Sequence, residues 1–181
     1  ILPVAAHADR GSIEGFIADN FLRNFGARVQ QYCERLAGCR APDGSWLAAV
    51  GYTPLACRRA FLEHYLDVPV DHAIALHAGT AVPRATLAEA GNLAAVDAGA
   101  GRALIAGMTQ HLHAQGFTWV ALTGTRTLLN SFGRLGIRTH ALGAADPQRL
   151  PDAGRSWGSY YAANPQVVYG HIASGHARLL R

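Results

Sequence analysis

One carboxylate, Glu89, stands inside an apolar run that begins at Leu87. A carboxylate among apolar neighbours on a strand is rarely buried without a reason. Burial would raise it toward neutral pH, where it could take a proton from an attacking amine. The competing reading is a strand residue facing solvent, since alternation puts Leu87 and Glu89 on one face. Three residues on, Asn92 supplies an amide. Beyond it Gly99, Ala100, Gly101 and Arg102 form a glycine turn leading into a helix pattern. Strand, glycine turn and helix start offer backbone N–H groups to a phosphate, and glycine allows close approach. Leu104 stands where a third glycine would complete a dinucleotide fingerprint. A plain structural turn is the alternative.

Other residues carry weaker signals. Glu63, Tyr65 and Asp67 form a polar cluster in a short aromatic segment, and Trp157, Tyr160 and Tyr161 form an aromatic one. Each could wall a substrate pocket, or be a solvated loop and a packed aromatic core. Thr125 precedes a helix pattern and reads as its cap. His111 and His113 are two apart on a helix and face different ways, and no HExxH occurs, so no metal site is expected. Cys33, Cys39 and Cys57 are odd in number and lack a CxxC. Free thiols suit a reducing cytoplasm, where the protein is expected.

The elements that must hold these residues follow from periodicity and turn chemistry. Residues 10–25 carry Ile13, Phe16, Ile17, Phe21 and Leu22 at helical spacing. A turn at 41–45 with Asp43-Gly44 at its core joins a strand at 46–52 to the segment before it as a hairpin. Residues 58–66 read as a short helix or structured loop, and 70–77 as a helix. The run 84–96 is the central strand, and 99–115 is an amphipathic helix closed by Gly116. Then come a strand at 117–122, a helix at 126–135 ending at Gly136, a strand at 137–142, a Pro/Asp/Gly loop to 155 and a last strand at 166–172. Residues 1–7 could form a first strand. The order predicts a mixed α/β sheet with a parallel strand-helix-strand crossover at its middle. The 181 residues suffice for one domain spanning 1–181.

Hydrophobic content of 50% and charged content of 15% describe a globular chain. The net charge is +4, and every basic side chain is Arg. Arginine forks onto phosphate and carboxylate, so an acidic partner or a phosphate-bearing co-substrate fits. The arginines are scattered without interleaved aromatics, which argues against nucleic acid. No apolar run approaches a membrane span, so no integral membrane association is expected, and 1–6 lacks the charged start of a signal peptide.

The crossover resembles motif A of the GNAT acyltransferases, where a (Gln/Arg)-x-x-Gly-x-(Gly/Ala) turn binds the pyrophosphate of an acyl-CoA. Here it is Val96-Asp97-Ala98-Gly99-Ala100-Gly101, with both glycine positions matched, the leading Gln/Arg absent and Arg102 following. Phe132 stands where that family often has a tyrosine acid. A closer match covers nearly the whole chain. Phe61-Leu62-Glu63-His64-Tyr65-Leu66-Asp67, Glu89 with Gly91-Asn92-Leu93-Ala94, Trp119-Val120 with Thr123, Ala145-Asp146-Pro147 and Trp157-Gly158-Ser159-Tyr160-Tyr161 resemble the thermostable hemolysin family. That family is similar in fold to GNAT enzymes and acyl-homoserine-lactone synthases. Those synthases pair the strand glutamate with a following Arg-Phe, where this chain has Asn92-Leu93.

The resemblance implies a GNAT-like α/β (α+β) fold, its mostly antiparallel sheet carrying the crossover and helices on both faces. It implies transfer of an acyl group from acyl-CoA or an acyl carrier protein, as co-substrate and not resident cofactor, to a small amine in a ternary complex. Glu89, Asn92 and Tyr160 are then the catalytic candidates. Ala95, Val96, Gly99, Ala100, Gly101, Arg102, Thr123 and Asn130 would hold the donor. Glu63, Tyr65, Trp157 and Tyr161 would hold the substrate. Arg126, Arg134 and Arg138 near the mouth would suit an acidic carrier protein, and the last strand could pair across a homodimer. Two other readings stand beside this one: a membrane-damaging toxin, and a non-catalytic module that binds acyl thioesters.

Overall fold

A computed structural model describes residues 9–180, so the expected strand at 1–7 lies outside the described residues. Helix α1 (Arg10–Phe25) buries Ile13, Ile17 and Phe21, one turn apart, and stops at Gly26 with φ +66°. That left-handed conformation favours glycine. Strands β1 (Arg35–Arg40) and β2 (Trp46–Pro54) form the expected hairpin. Asp43 accepts from the Ser45 N–H at 2.9 Å in the turn between them. A single 3-10 turn, Phe61–His64, leads to helix α2 (Val70–Ala78).

Strand β3 (Leu87–Ala95), helix α3 (Ala98–Ala114) and strand β4 (Trp119–Gly124) make the parallel crossover. Helix α4 (Arg126–Arg134) follows, with the Thr125 hydroxyl accepting from the Leu128 N–H as its cap. Strand β5 (His140–Ala144) begins three residues later than the sequence predicts, because its pairing starts at His140↔Tyr169 and Ile137 instead packs against Gly175. Strand β6 (Gln166–His171) then inserts between β4 and β5, antiparallel to both.

The chain closes with helix α5 (Ile172–Leu179), which periodicity did not reveal. Ser174 and Gly175 are weak helix formers that dilute its signal. Gly175 packs closely there: a Cβ would make ordinary van der Waals contact with Ile137 Cγ2 at 3.4 Å and Thr109 Cγ2 at 3.5 Å.

The six strands run in the order β1-β2-β3-β4-β6-β5. Helices α3, α4 and α5 pack together, while α1 packs on β1–β3 through a separate core of Ile13, Ile17, Leu36 and Ala49. Two features at the middle of the sheet position the site. A bulge puts three steps of β3 (Gly91 to Ala94) opposite two steps of β2 (Gly51 to Ala49), and Asn92 there has φ +53°. Moreover, β3 and β4 pair only from Leu87↔Trp119 to Ala90↔Leu122. Beyond that point β3 stays with β2 and β4 with β6, so the two central strands part. Among the described residues, no helix is long and apolar enough to cross a membrane.

Candidate active site

A cavity of about 860 Å³ occupies the gap between β3 and β4. It is lined from α1 by Phe21 and Phe25, and from the other helices by Leu104, Ile105, Met108, Leu128 and Phe132. Pockets for small molecules span roughly 300–1,000 Å³, so this one can take two substrates side by side. One arm is apolar and follows α3 from Ala98 to Leu112, roughly 20 Å at 1.5 Å per residue. The other arm is polar, with Cys33, Thr53, Arg58, Arg59, His64 and Tyr65. Glu89 lines the same cavity.

The carboxylate of Glu89 is neither loose nor solvent-facing. Its Oε2 accepts from the Phe61 N–H and its Oε1 from the Leu62 N–H, both at 2.8 Å. These belong to the first turn of the 3-10 segment, where backbone donors lack helical partners. Burial nevertheless raises its pKa to about 7, against the pull of those two donors. Each carboxylate oxygen keeps a further lone pair, so the group can still accept a proton. The same burial, with Glu89 adding to it, pushes the neighbouring Cys33 thiol up to about 12. A thiol held that high is protonated near neutral pH and is a poor nucleophile.

Tyrosines close the other side. Tyr65 and Tyr161 share a hydrogen bond between their hydroxyls, and Tyr160 donates to the Thr123 carbonyl at 3.4 Å. Burial raises all three above the usual tyrosine value, so they are donors rather than bases. Trp157 packs edge-on against Phe21 and Tyr161.

Of the residues expected at a site, the structure gathers Glu89, Asn92, Ala95, Gly101, Thr123, Tyr65, Trp157, Tyr160 and Tyr161 around this cavity. Several do something other than expected. The Asn92 amide is occupied: Oδ1 accepts from the Cys33 N–H at 2.8 Å and Nδ2 donates to the Gln31 carbonyl at 3.2 Å. It ties the chain at 31–33 to the bulge rather than pointing a donor at a substrate. Glu63 is 7% exposed and lies behind the 3-10 turn. It accepts from the N–H groups of Ala60 and Val70 and pairs with Arg84 at 2.8 Å. Burial pushes its pKa up, but Arg84 and the two N–H groups bring it below the ordinary value. Glu63 is therefore an anchor for the segment that Glu89 caps, not a substrate contact.

The glycine turn also differs. Helix α3 begins at Ala98, so Gly99 and Gly101 sit in its first turn, and neither has positive φ. Its N-cap is Asp97, whose Oδ1 accepts from the Ala100 N–H at 2.8 Å. Part of the expected anion seat is thus taken by a carboxylate of the chain itself. Val96 is 53% exposed, with its N–H bonded to the Leu47 carbonyl, and it does not line the cavity. Nor do Gly99, Ala100, Arg102 or the exposed Asn130, which lies off the α4 stripe Leu128–Ser131–Phe132.

Sequence reasoning missed the apolar arm. Leu104, Ile105, Met108 and Leu112 form a helical stripe that spacing alone assigns to packing. Cys33 was missed too. Its place depends on Gly51, where a Cβ would come within 2.5 Å of the Cys33 Cβ, and such a contact leaves no local pattern.

The sequence matches the family described as thermostable hemolysin over residues 4–176. No curated protein matches it. Among solved structures, FeeM, an N-acyl amino acid synthase from uncultured soil microbes, is 10% identical with TM-score 0.62, covering 98% of each chain. BjaI, a CoA-dependent acyl-homoserine lactone synthase solved with SAM and isopentyl-CoA, is 15% identical with TM-score 0.63, covering 99% of this chain and 87% of that one. A GCN5-related N-acetyltransferase from Kribbella flavida is 15% identical with TM-score 0.50, covering 94% and 96%. The fold is thus GNAT-like.

Proposed function

We propose that this chain, which belongs to the thermostable hemolysin family, transfers an acyl group from an acyl thioester to the nitrogen of a small amine. The observation that carries the reading is the cavity at the parted strands, lined by apolar side chains of α3 and by a separate polar set, with the buried carboxylate of Glu89 in its wall. FeeM and BjaI, by their names an N-acyl amino acid synthase and an acyl-homoserine lactone synthase, share the fold.

The acyl chain lies along α3, with the thioester carbonyl at the point where β3 and β4 separate. The amine enters through the polar arm. Its nitrogen attacks the carbonyl carbon, the C–N bond forms, and Glu89 takes a proton from the nitrogen. Backbone donors freed by the parting of the strands stabilise the oxyanion. The C–S bond then breaks, and the departing sulfur takes a proton from Tyr160, which Glu89 restores through solvent. The products are an amide and a free thiol. Positioning both reactants in one cavity supplies much of the rate. Direct attack is favoured over an acyl-enzyme because Cys33, the cysteine lining the cavity, is held as a thiol.

The test is release of free thiol from acyl-CoA and acyl carrier protein in the presence of pooled amines, with mass spectrometry of the acylated product. Amide formation that depends on the enzyme is the expected result. Thiol release without amide would make the protein a thioesterase, and no release with any donor would remove the reading.

A further inference from the structure

Charge is distributed very unevenly over this fold. Between Asp97 and Asp146 there is no Asp or Glu, and α5 has none either. Over the same stretch and α5 lie Arg102, Arg126, Arg134, Arg138 and Arg178. Among the described residues, none of these five makes an ion pair or a side-chain hydrogen bond. Glu14 of α1 and Asp71 of α2, by contrast, are in use: Glu14 pairs with Arg10, and Asp71 with Arg84. Helices α3, α4 and α5 pack together, and Arg178 Cβ approaches the position of a Cβ on Gly136, beside Arg138. Arg102, Arg126, Arg134 and Arg178 thus lie on these helices, and the exposed Arg138 on the segment between α4 and β5.

The cavity reaches that surface. Because β3 and β4 are parallel, α3 and α4 begin at the same edge of the sheet. The lining there includes Asp97, Ala98 and Gly101 from α3 and Thr125 and Thr127 from α4. Arg102 and Arg126 flank this opening in sequence, and Arg134 lies roughly 12 Å farther along α4. At the rim itself stands Asp97, its carboxylate already bonded to the Ala100 N–H. A helix start would draw a phosphate, but the carboxylate offsets that field. It repels a group in proportion to the group's charge. A nucleotide thioester carries several negative charges close to its arm. A phosphopantetheine arm on a protein carries a single phosphodiester.

We infer that the acyl donor arrives on a small acidic carrier protein that docks across α3, α4 and α5, and that Asp97 at the mouth disfavours the same acyl group on CoA. The inference rests on the acyl-transfer reading and names its donor. Transfer breaks the C–S bond of the arm and returns the carrier with a free thiol.

Binding tests it without knowledge of the acceptor. Octanoyl and palmitoyl groups would be presented as the pantetheine thioester, as acyl-CoA and on a fatty-acid-synthesis acyl carrier protein. Affinities would be measured by calorimetry at low and raised salt. The carrier form is expected to bind at least about tenfold tighter than the CoA form, with the advantage shrinking as salt rises. Arg126→Glu with Arg134→Glu, two exposed positions, should cut carrier affinity about tenfold or more and leave acyl-pantetheine binding unchanged. Asp97→Asn keeps a capping side chain and should tighten acyl-CoA severalfold without helping the carrier. Equal or tighter binding of acyl-CoA by the unmodified protein, or carrier binding indifferent to charge reversal, overturns the inference while acyl-pantetheine binding preserves the acyl site. Failure of all three thioesters overturns both.

Discussion

At the residue scale, the site turns on how one carboxylate serves two tasks. Glu89 caps the Phe61–Leu62 turn and is held near a pKa of about 7 by burial. As a general base it is competent only when ionised, so turnover should rise with pH through about 7 and level off above it. Stability moves the other way. The folded chain holds this proton more tightly than the unfolded one, whose value is near 4.5. That contribution is full below the unfolded value and is lost as pH rises through about 7. Glu89→Gln should flatten both profiles and reduce turnover by about two orders of magnitude or more. Glutamine offers one acceptor to two backbone donors, so its melting temperature should also fall, by an amount set by one unsatisfied N–H. A variant with the wild-type pH–rate profile would remove Glu89 from the mechanism. Tyr160 is the second residue to test. Loss of its hydroxyl in Tyr160→Phe should slow turnover about tenfold to a hundredfold, most for thioesters with the poorest leaving thiols. Unchanged rates across a leaving-group series would assign Tyr160 to packing alone.

At the element scale, close backbone approach decides which segments meet, and this explains much of what the sequence reveals or hides. Helices α1, α3 and α4 were legible because apolar spacing and a glycine or threonine at an end are local signals. The crossover was legible because strand, helix and strand follow in order. The parting of β3 from β4 was not, since it depends on where pairing stops, and neither was the second use of the α3 stripe as a cavity wall. Asn92 looked like a donor because its type permits it, whereas the bulge turns it toward 31–33. Gly158 is the sharpest case of hidden contact. It has φ +52°, and a Cβ would lie 2.1 Å from the Phe25 carbonyl oxygen. The neighbouring Ser159 N–H donates to that same oxygen at 2.8 Å. This contact sets Trp157 and Tyr160 against the end of α1. Gly158→Ala should destabilise the fold by at least about 2 kcal/mol through strained backbone and steric conflict. Chemical denaturation measures this. An alanine variant as stable as the parent would mean that the 157–160 segment can shift away from α1 freely.

At the scale of the whole molecule, the cavity leaves the helical layer incompletely packed. Helix α4 has no fully buried residue, and Leu128 and Phe132 face the cavity. An acyl chain would supply the missing contacts, so donor binding should stabilise the whole fold and not only the site. Each methylene moved out of water contributes about 0.8 kcal/mol, roughly a fourfold gain in affinity. Melting temperature should therefore climb with chain length along a series of acyl-pantetheines and stop climbing when the arm beside α3 is full. The position of that plateau measures the arm. Met108, on α3 and lining it, gives the check. Met108→Trp adds volume inside the arm, at an overpacking cost of about 1–3 kcal/mol. The plateau should move to shorter chains while short-chain donors still bind. If the plateau stayed where it was in a variant that remained folded by circular dichroism, the acyl chain would have to run elsewhere. The α1 side of the gap, past Phe21 and Phe25, would be the route left to it.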